Sequence, residues 1–159
     1  MTPWPPSALR AAALVCSLSP SPAPSSSQLL AEQLLAQLAA NGVGSDADSV
    51  IRVVDHDVKP GVLADMGDGD DWPSLRSKVL QADVLVIATP TWMGQHSSVC
   101  QRVLERLDAE LSSTDERGRP ILFDKIAIAV VVGNEDGTDR NPHGRPSGGF
   151  EARGGAMPR

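Results

Sequence analysis

The chain has 159 residues, 41% of them hydrophobic and 21% charged, with a formal net charge of −6. That length suits a single domain, and the apolar content is too high for a disordered chain. The acidic balance argues against a nucleic-acid binder or an anionic-membrane binder, and no apolar run approaches the roughly 20 residues of a membrane span.

Two cysteines and three histidines are too few for a disulfide framework or a four-ligand zinc site, so a reduced, cytoplasmic setting is expected. Residues 1–8 read as a short flexible arm. No Lys or Arg precedes the first apolar run and Arg10 stands at its start, so a secretory signal is not expected.

The first strand is Ala11–Cys16. A helix follows from Ser25, Ser26 or Ser27 to about Ala40, with Leu30, Leu34 and Leu38 on one stripe and Asn41-Gly42 as its stop. Val50–Val54 is the second strand. The stretch Asp65–Asp71 carries four aspartates but lacks the terminal glutamate and flanking helices of a calcium loop, and it reads as a solvated loop capping the next helix. That helix starts at Trp72-Pro73, turns Leu75 and Val79 inward and ends near Gln81. Val84–Ala88 is the third strand. A third helix opens at Ser97 or Ser98 with the stripe Val99, Val103, Leu107 and Leu111, and a polar loop precedes the fourth strand, Ile126–Val132. Strands 1, 3 and 4 are apolar at consecutive positions, as in a sheet covered on both faces, and the alternation of strand and helix implies right-handed crossovers in a mostly parallel sheet.

Residues 138–159 contain no Val, Ile or Leu but five Gly, three Pro and four Arg, so they have almost nothing to bury and are expected to be disordered. The domain therefore reads as residues 9–137.

In an open parallel sheet, ligands bind outside the carboxyl ends of the strands. After strand 1, Ser17–Ser27 places six hydroxyls in eleven residues before a helix N-terminus. Amides, the helix dipole and serine hydroxyls suit a phosphate, held by hydrogen bonds because the loop has no Lys or Arg. The same residues also suit a plain surface loop with an ordinary helix cap. Neither a glycine-rich dinucleotide fingerprint nor a P-loop is present. After strand 3, Thr89-Pro90-Thr91-Trp92-Met93-Gly94 offers an indole, a thioether and accessible backbone to a planar, partly apolar ligand such as isoalloxazine. Trp92 packing on the protein itself is the plainer alternative, and His96 reads as a polar surface residue rather than a base. After strand 4, Gly133-Asn134-Glu135-Asp136-Gly137 permits a tight loop whose amides face a ligand rim, and its adjacent acids project apart rather than hold a metal.

Together these loops resemble the flavodoxin-like NAD(P)H-dependent FMN reductase family and its quinone-reductase relatives, over about Leu9 to Gly137. The segment Ala88–Gly94 with Ser97-Ser98 is the most specific. The resemblance implies a flavodoxin-like three-layer α/β/α sandwich with parallel strand order 2-1-3-4-5. It places the FMN phosphate against Ser17, Ser19, Ser25, Ser26 and Ser27. The flavin ring would lie against Pro90, Thr91, Trp92, Met93 and Gly94, and against Gly133, Asn134, Glu135, Asp136 and Gly137. It implies an FMN-dependent oxidoreductase passing hydride from NAD(P)H through the flavin to a small acceptor such as a flavin or quinone, with no catalytic side chain and no metal. Many relatives complete the flavin site with a neighbour's residues, so a homodimer is compatible with the resemblance, whereas nucleic-acid and membrane partners are not expected.

The family's fifth strand and final helix do not follow Gly137, and the tail resembles out-of-frame translation of GC-rich coding sequence. Strand 4 is then expected to form a bare sheet edge. Two other functions fit the same residues: a flavodoxin-type electron carrier, and a truncated product with little or no activity.

Overall fold

Short apolar runs that bury both faces form the centre of a parallel sheet. The computed structural model describes residues 9–133; the arm 1–8, the tail 138–159 and the site candidates Asn134, Glu135, Asp136 and Gly137 lie outside the described residues. The strands are β1 (Ala11–Val15), β2 (Val50–Arg52), β3 (Val84–Trp92), β4 (Gln95–His96) and β5 (Ile126–Val132), and the helices are α1 (Ser26–Ala40), α2 (Trp72–Gln81) and α3 (Ser98–Asp108). Parallel pairing gives the order β2-β1-β3-β5, with Ala13 opposite Val50, Ala11 opposite Val84, and Val84 opposite Ile126. This is the flavodoxin-like arrangement, β5 being the fourth strand of the sequence reading.

The period-2 alternation of β1 divides the core. Leu14 and Cys16 face Trp72, Leu75 and Val79 of α2 and Cys100 and Val103 of α3. Ala11, Ala13 and Val15 face Ala31 and Leu35 of α1 on the opposite side. Helices therefore cover both faces, as the consecutive apolar positions required.

Several boundaries differ from expectation. The first strand ends at Val15, and the second stops at Arg52 because Val53–Asp55 turns into a 3-10 helix. The third runs to Trp92 rather than Ala88, since β5 stays paired with it as far as Pro90 and β4 folds back on Thr91 and Trp92. In α1 the buried face is Ser27, Ala31 and Leu35; Leu34 and Leu38 pack at its margin and Leu30 is exposed. Small side chains on that face let the helix lie close to the alanines of β1. Leu111 is 76% exposed, because α3 gives way to a 3-10 turn at Ala109 that brings Glu110 inward instead.

The acidic loop is also not uniformly solvated. Asp70 and Arg106 form an ion pair at 2.6 Å with both side chains 0% exposed. Asp70 also accepts from the amides of Met66 (2.9 Å), Lys59 (3.2 Å) and Trp72 (3.2 Å), while Arg106 donates to the Lys59 carbonyl and lies 5.7 Å from the centre of the Trp72 ring. Burial raises the Asp70 carboxyl, but the Met66 amide, the Arg106 guanidinium and the other amides outweigh it and bring it from 3.8 to about 2. The folded state thus favours the carboxylate, a contribution fully present above 3.8 and lost as pH falls through about 2. Urea midpoints measured from pH 5 down to pH 2 should fall across that window, and less steeply in Asp70→Asn.

Candidate functional site

At the carboxyl ends of β1, β3 and β5 a cleft of about 300 Å3 opens, lined by Ser17, Leu18, Ser19, Pro24, Ser25, Ser26, Ser27, Pro90, Thr91, Trp92, Val132 and Gly133. Nine positions singled out in the sequence meet there: Ser17, Ser19, Ser25–Ser27, Pro90–Trp92 and Gly133. Leu18, Pro24 and Val132 complete the wall and were not anticipated.

The serine loop forms the wall nearest α1. Ser25 is the helix N-cap, in extended conformation (φ −142°, ψ 118°), and its hydroxyl accepts from the Gln28 amide at 3.2 Å. The amides of Ser26 and Ser27 belong to the first turn and have no intrahelical acceptor, so they stay available to an anion, with the positive end of the helix dipole behind them. Ser17 Oγ accepts from the Ser19 amide at 3.2 Å and fixes the start of the loop.

Opposite lies a β-hairpin where the sequence suggested an irregular loop. Thr91 pairs with His96 and Trp92 with Gln95, while Met93 and Gly94 form the two-residue turn with φ of 53° and 73°. Positive φ at both positions is the type I′ signature, which favours Asn-Gly. The turn carries Met93 (88% exposed) and Gly94 out of the cleft lining, whereas Trp92, 58% exposed, stays at its mouth. A methionine held at positive φ with almost no burial is strained without compensation. Met93→Asn should therefore stabilise the protein by about 0.5–1 kcal/mol, read as a higher thermal midpoint.

Two packing details mark the place where β3 and β5 meet the cleft. Thr91 Oγ1 is buried without a hydrogen-bond partner among the described residues. Gly133 sits against it, and a Cβ there would overlap that hydroxyl, so only glycine lets the end of β5 pack this closely on Thr91. A second hollow of about 270 Å3 lies on the β2 side, lined by residues of both charges including Asp48, Arg52, Asp55, His56 and Lys78. It contains no orphaned polar group of this kind.

The side chains nearest the cleft that could do acid–base or nucleophilic work are His96, Cys16 and Cys100, the last with its thiol brought down to about 7 chiefly by its contact with Cys16. His96 Nε2 shares a hydrogen bond with Gln101 Oε1 at 2.7 Å. The Cys16 thiol donates to the Leu14 carbonyl, and the neighbouring Cys100 thiol together with burial pushes it well above the usual thiol range, so it stays protonated. Among the described residues no cluster of His, Cys, Asp or Glu is placed to hold a metal ion, and no helix is long and apolar enough to cross a membrane.

Sequence reasoning missed Arg52. It ends β2 opposite Val15, is 8% exposed, and reaches behind the serine loop to the Ala23 carbonyl (2.6 Å) and Gln28 Oε1 (2.9 Å). A lone arginine inside the apolar run Val50–Val54 was the available signal.

The family described as NADPH-dependent FMN reductase matches residues 9–151. The 8-demethyl-8-aminoriboflavin-5'-phosphate synthase of Streptomyces davaonensis is 32% identical over 139 residues, 82% of this chain and 53% of that protein. A Mycobacterium bovis protein named divalent metal cation transporter MntH is 38% identical over 133 residues, which are 81% of this chain but 19% of that protein. This chain thus spans about half of one curated relative and a fifth of the other. Among solved structures, RosB with its bound intermediate 8-demethyl-8-formylriboflavin-5'-phosphate superposes with a TM-score of 0.71 at 32% identity, covering 82% of this chain and 54% of that one. Apo NADH:FMN oxidoreductase (EmoB) gives 0.63 at 20% identity, covering 86% and 65%, and shares the fold.

Proposed function

Because this chain belongs to the NADPH-dependent FMN reductase family, we propose that it is a flavin-dependent oxidoreductase that binds FMN in the cleft and draws its electrons from NAD(P)H. When bound, FMN supplies the redox chemistry, taking a hydride from the nicotinamide and passing electrons to a small acceptor such as a flavin or quinone.

The residues of this chain bind and orient. The Ser26 and Ser27 amides and the hydroxyls of Ser17, Ser19, Ser25, Ser26 and Ser27 hold the phosphate. Pro90, Thr91 and Trp92 would flank the ring, with Trp92 at the mouth shielding one side from water. Gly133 lines the cleft beside them, and Asn134, Glu135, Asp136 and Gly137, outside the described residues, follow it in the sequence. Met93 and Gly94 act by setting the hairpin that presents Trp92. In this reading no side chain of the cleft lining needs to move a proton. The reading rests above all on one cleft bringing the helix-start serines Ser25–Ser27 opposite Pro90, Thr91 and Trp92.

A second use of the same cleft is favoured by the likeness to RosB, whose bound intermediate is itself a riboflavin phosphate: the flavin would be substrate rather than resident cofactor. Aerobic NADPH and NADH oxidation, followed with a tenth of an equivalent of FMN per chain and then with excess, separates the two. Steady turnover with the flavin recovered unchanged supports the oxidoreductase. A flavin of altered mass supports the second use, and absence of oxidation with either nucleotide counts against both.

A further inference from the structure

The proposed FMN site has an unexplained gap: a doubly charged phosphate faces a loop with no cationic residue in a chain of net charge −6. Arg52 fills it from behind. Its guanidinium is nearly buried, and all the acceptors it contacts are uncharged: the Ala23 carbonyl at 2.6 Å, the Ser19 carbonyl at 3.4 Å and Gln28 Oε1 at 2.9 Å. Among the described residues no carboxylate pairs with it. Asp55 feels its charge but is turned to the Ser21 amide at 2.8 Å, and Glu32 takes the far side of the Gln28 amide at 2.7 Å. Asp48 and Asp55 line the same hollow as Arg52 without forming an ion pair with it, so its hydrogen bonds all go to neutral acceptors.

The two loop carbonyls have a further property. Ser19 precedes Pro20 and Ala23 precedes Pro24, so each of these peptide units offers an acceptor and no N–H. Turned into the cleft, they would repel a phosphate; bound to Arg52, they point away from it and leave the Ser26 and Ser27 amides to face it. On the reading of the cleft as a flavin-phosphate site, we infer that Arg52 is a positioning residue that sets selectivity for phosphorylated flavin. It turns the loop's acceptor-only carbonyls outward and places a positive charge behind the anion. It does not line the cleft itself.

The test compares dissociation constants for FMN and riboflavin, which differ only in the phosphate, in wild type, Arg52→Gln and Arg52→Lys. Wild type should prefer FMN. Arg52→Gln should cut that preference about tenfold, mostly by weakening FMN. Arg52→Lys keeps the charge but cannot span both carbonyls and Gln28, so its preference should fall about threefold. Equal weakening of both flavins would mark Arg52 as purely structural and overturn the inference, as would an unchanged preference in Arg52→Lys should Arg52→Gln not fold. Equal wild-type affinity for both flavins would overturn it too, whereas a folded wild type that binds neither flavin refutes the underlying cleft reading instead.

Discussion

Replacing Arg106 with alanine should lower unfolding free energy by about 3–5 kcal/mol, a large part of the roughly 5–15 kcal/mol available to a domain. The size follows from what stays behind. Asp70 would remain wholly buried without its cation, and the stacking of the guanidinium on Trp72, itself 0% exposed, would be lost. Asp70 also gathers three amides from the segment between β2 and α2, so the pair ties that long loop to α3. Asp70→Asn should cost less, because an amide oxygen can still accept from part of that set. Urea denaturation followed by the signal of buried Trp72 checks both, and a loss below about 1 kcal/mol in Arg106→Ala would show that the pair is not what holds the loop.

The second large effect separates binding from stability. Ser26 is exposed at the first position of α1, so Ser26→Asp puts a negative charge where the helix dipole welcomes it. The fold should keep its thermal midpoint or gain about 0.3–1 kcal/mol. FMN affinity should fall at least about a hundredfold, because that carboxylate stands where the phosphate belongs, while riboflavin affinity should change little. A variant that binds FMN as well as wild type would move the phosphate away from this loop.

These effects show what the sequence could and could not carry. Runs such as Ala11–Val15 and Val84–Ala88 announce a sheet buried on both faces, and the serines before α1 announce a capped helix start, so the layers and the position of the cleft are legible. The hairpin at Trp92 is not. Its strand contains Pro90, which ordinarily argues against a strand, and its turn is Met-Gly rather than Asn-Gly. Leu30 and Leu111 were misplaced for different reasons. The face of α1 is selected by close packing of Ala31 and Ser27, not by its largest side chains, and α3 changes period before Leu111 is reached. Arg52 and Asp70 were hidden because their partners lie 24 and 36 residues away in sequence, and only the fold brings them together.

The most direct test of the central claim is to incubate the folded protein with excess FMN, remove free ligand by gel filtration and measure flavin absorbance in the protein peak, with inorganic phosphate as competitor. The account predicts close to one flavin per chain, progressively displaced as phosphate is raised. Protein that elutes folded and colourless, with all the flavin in the small-molecule fractions, would contradict it.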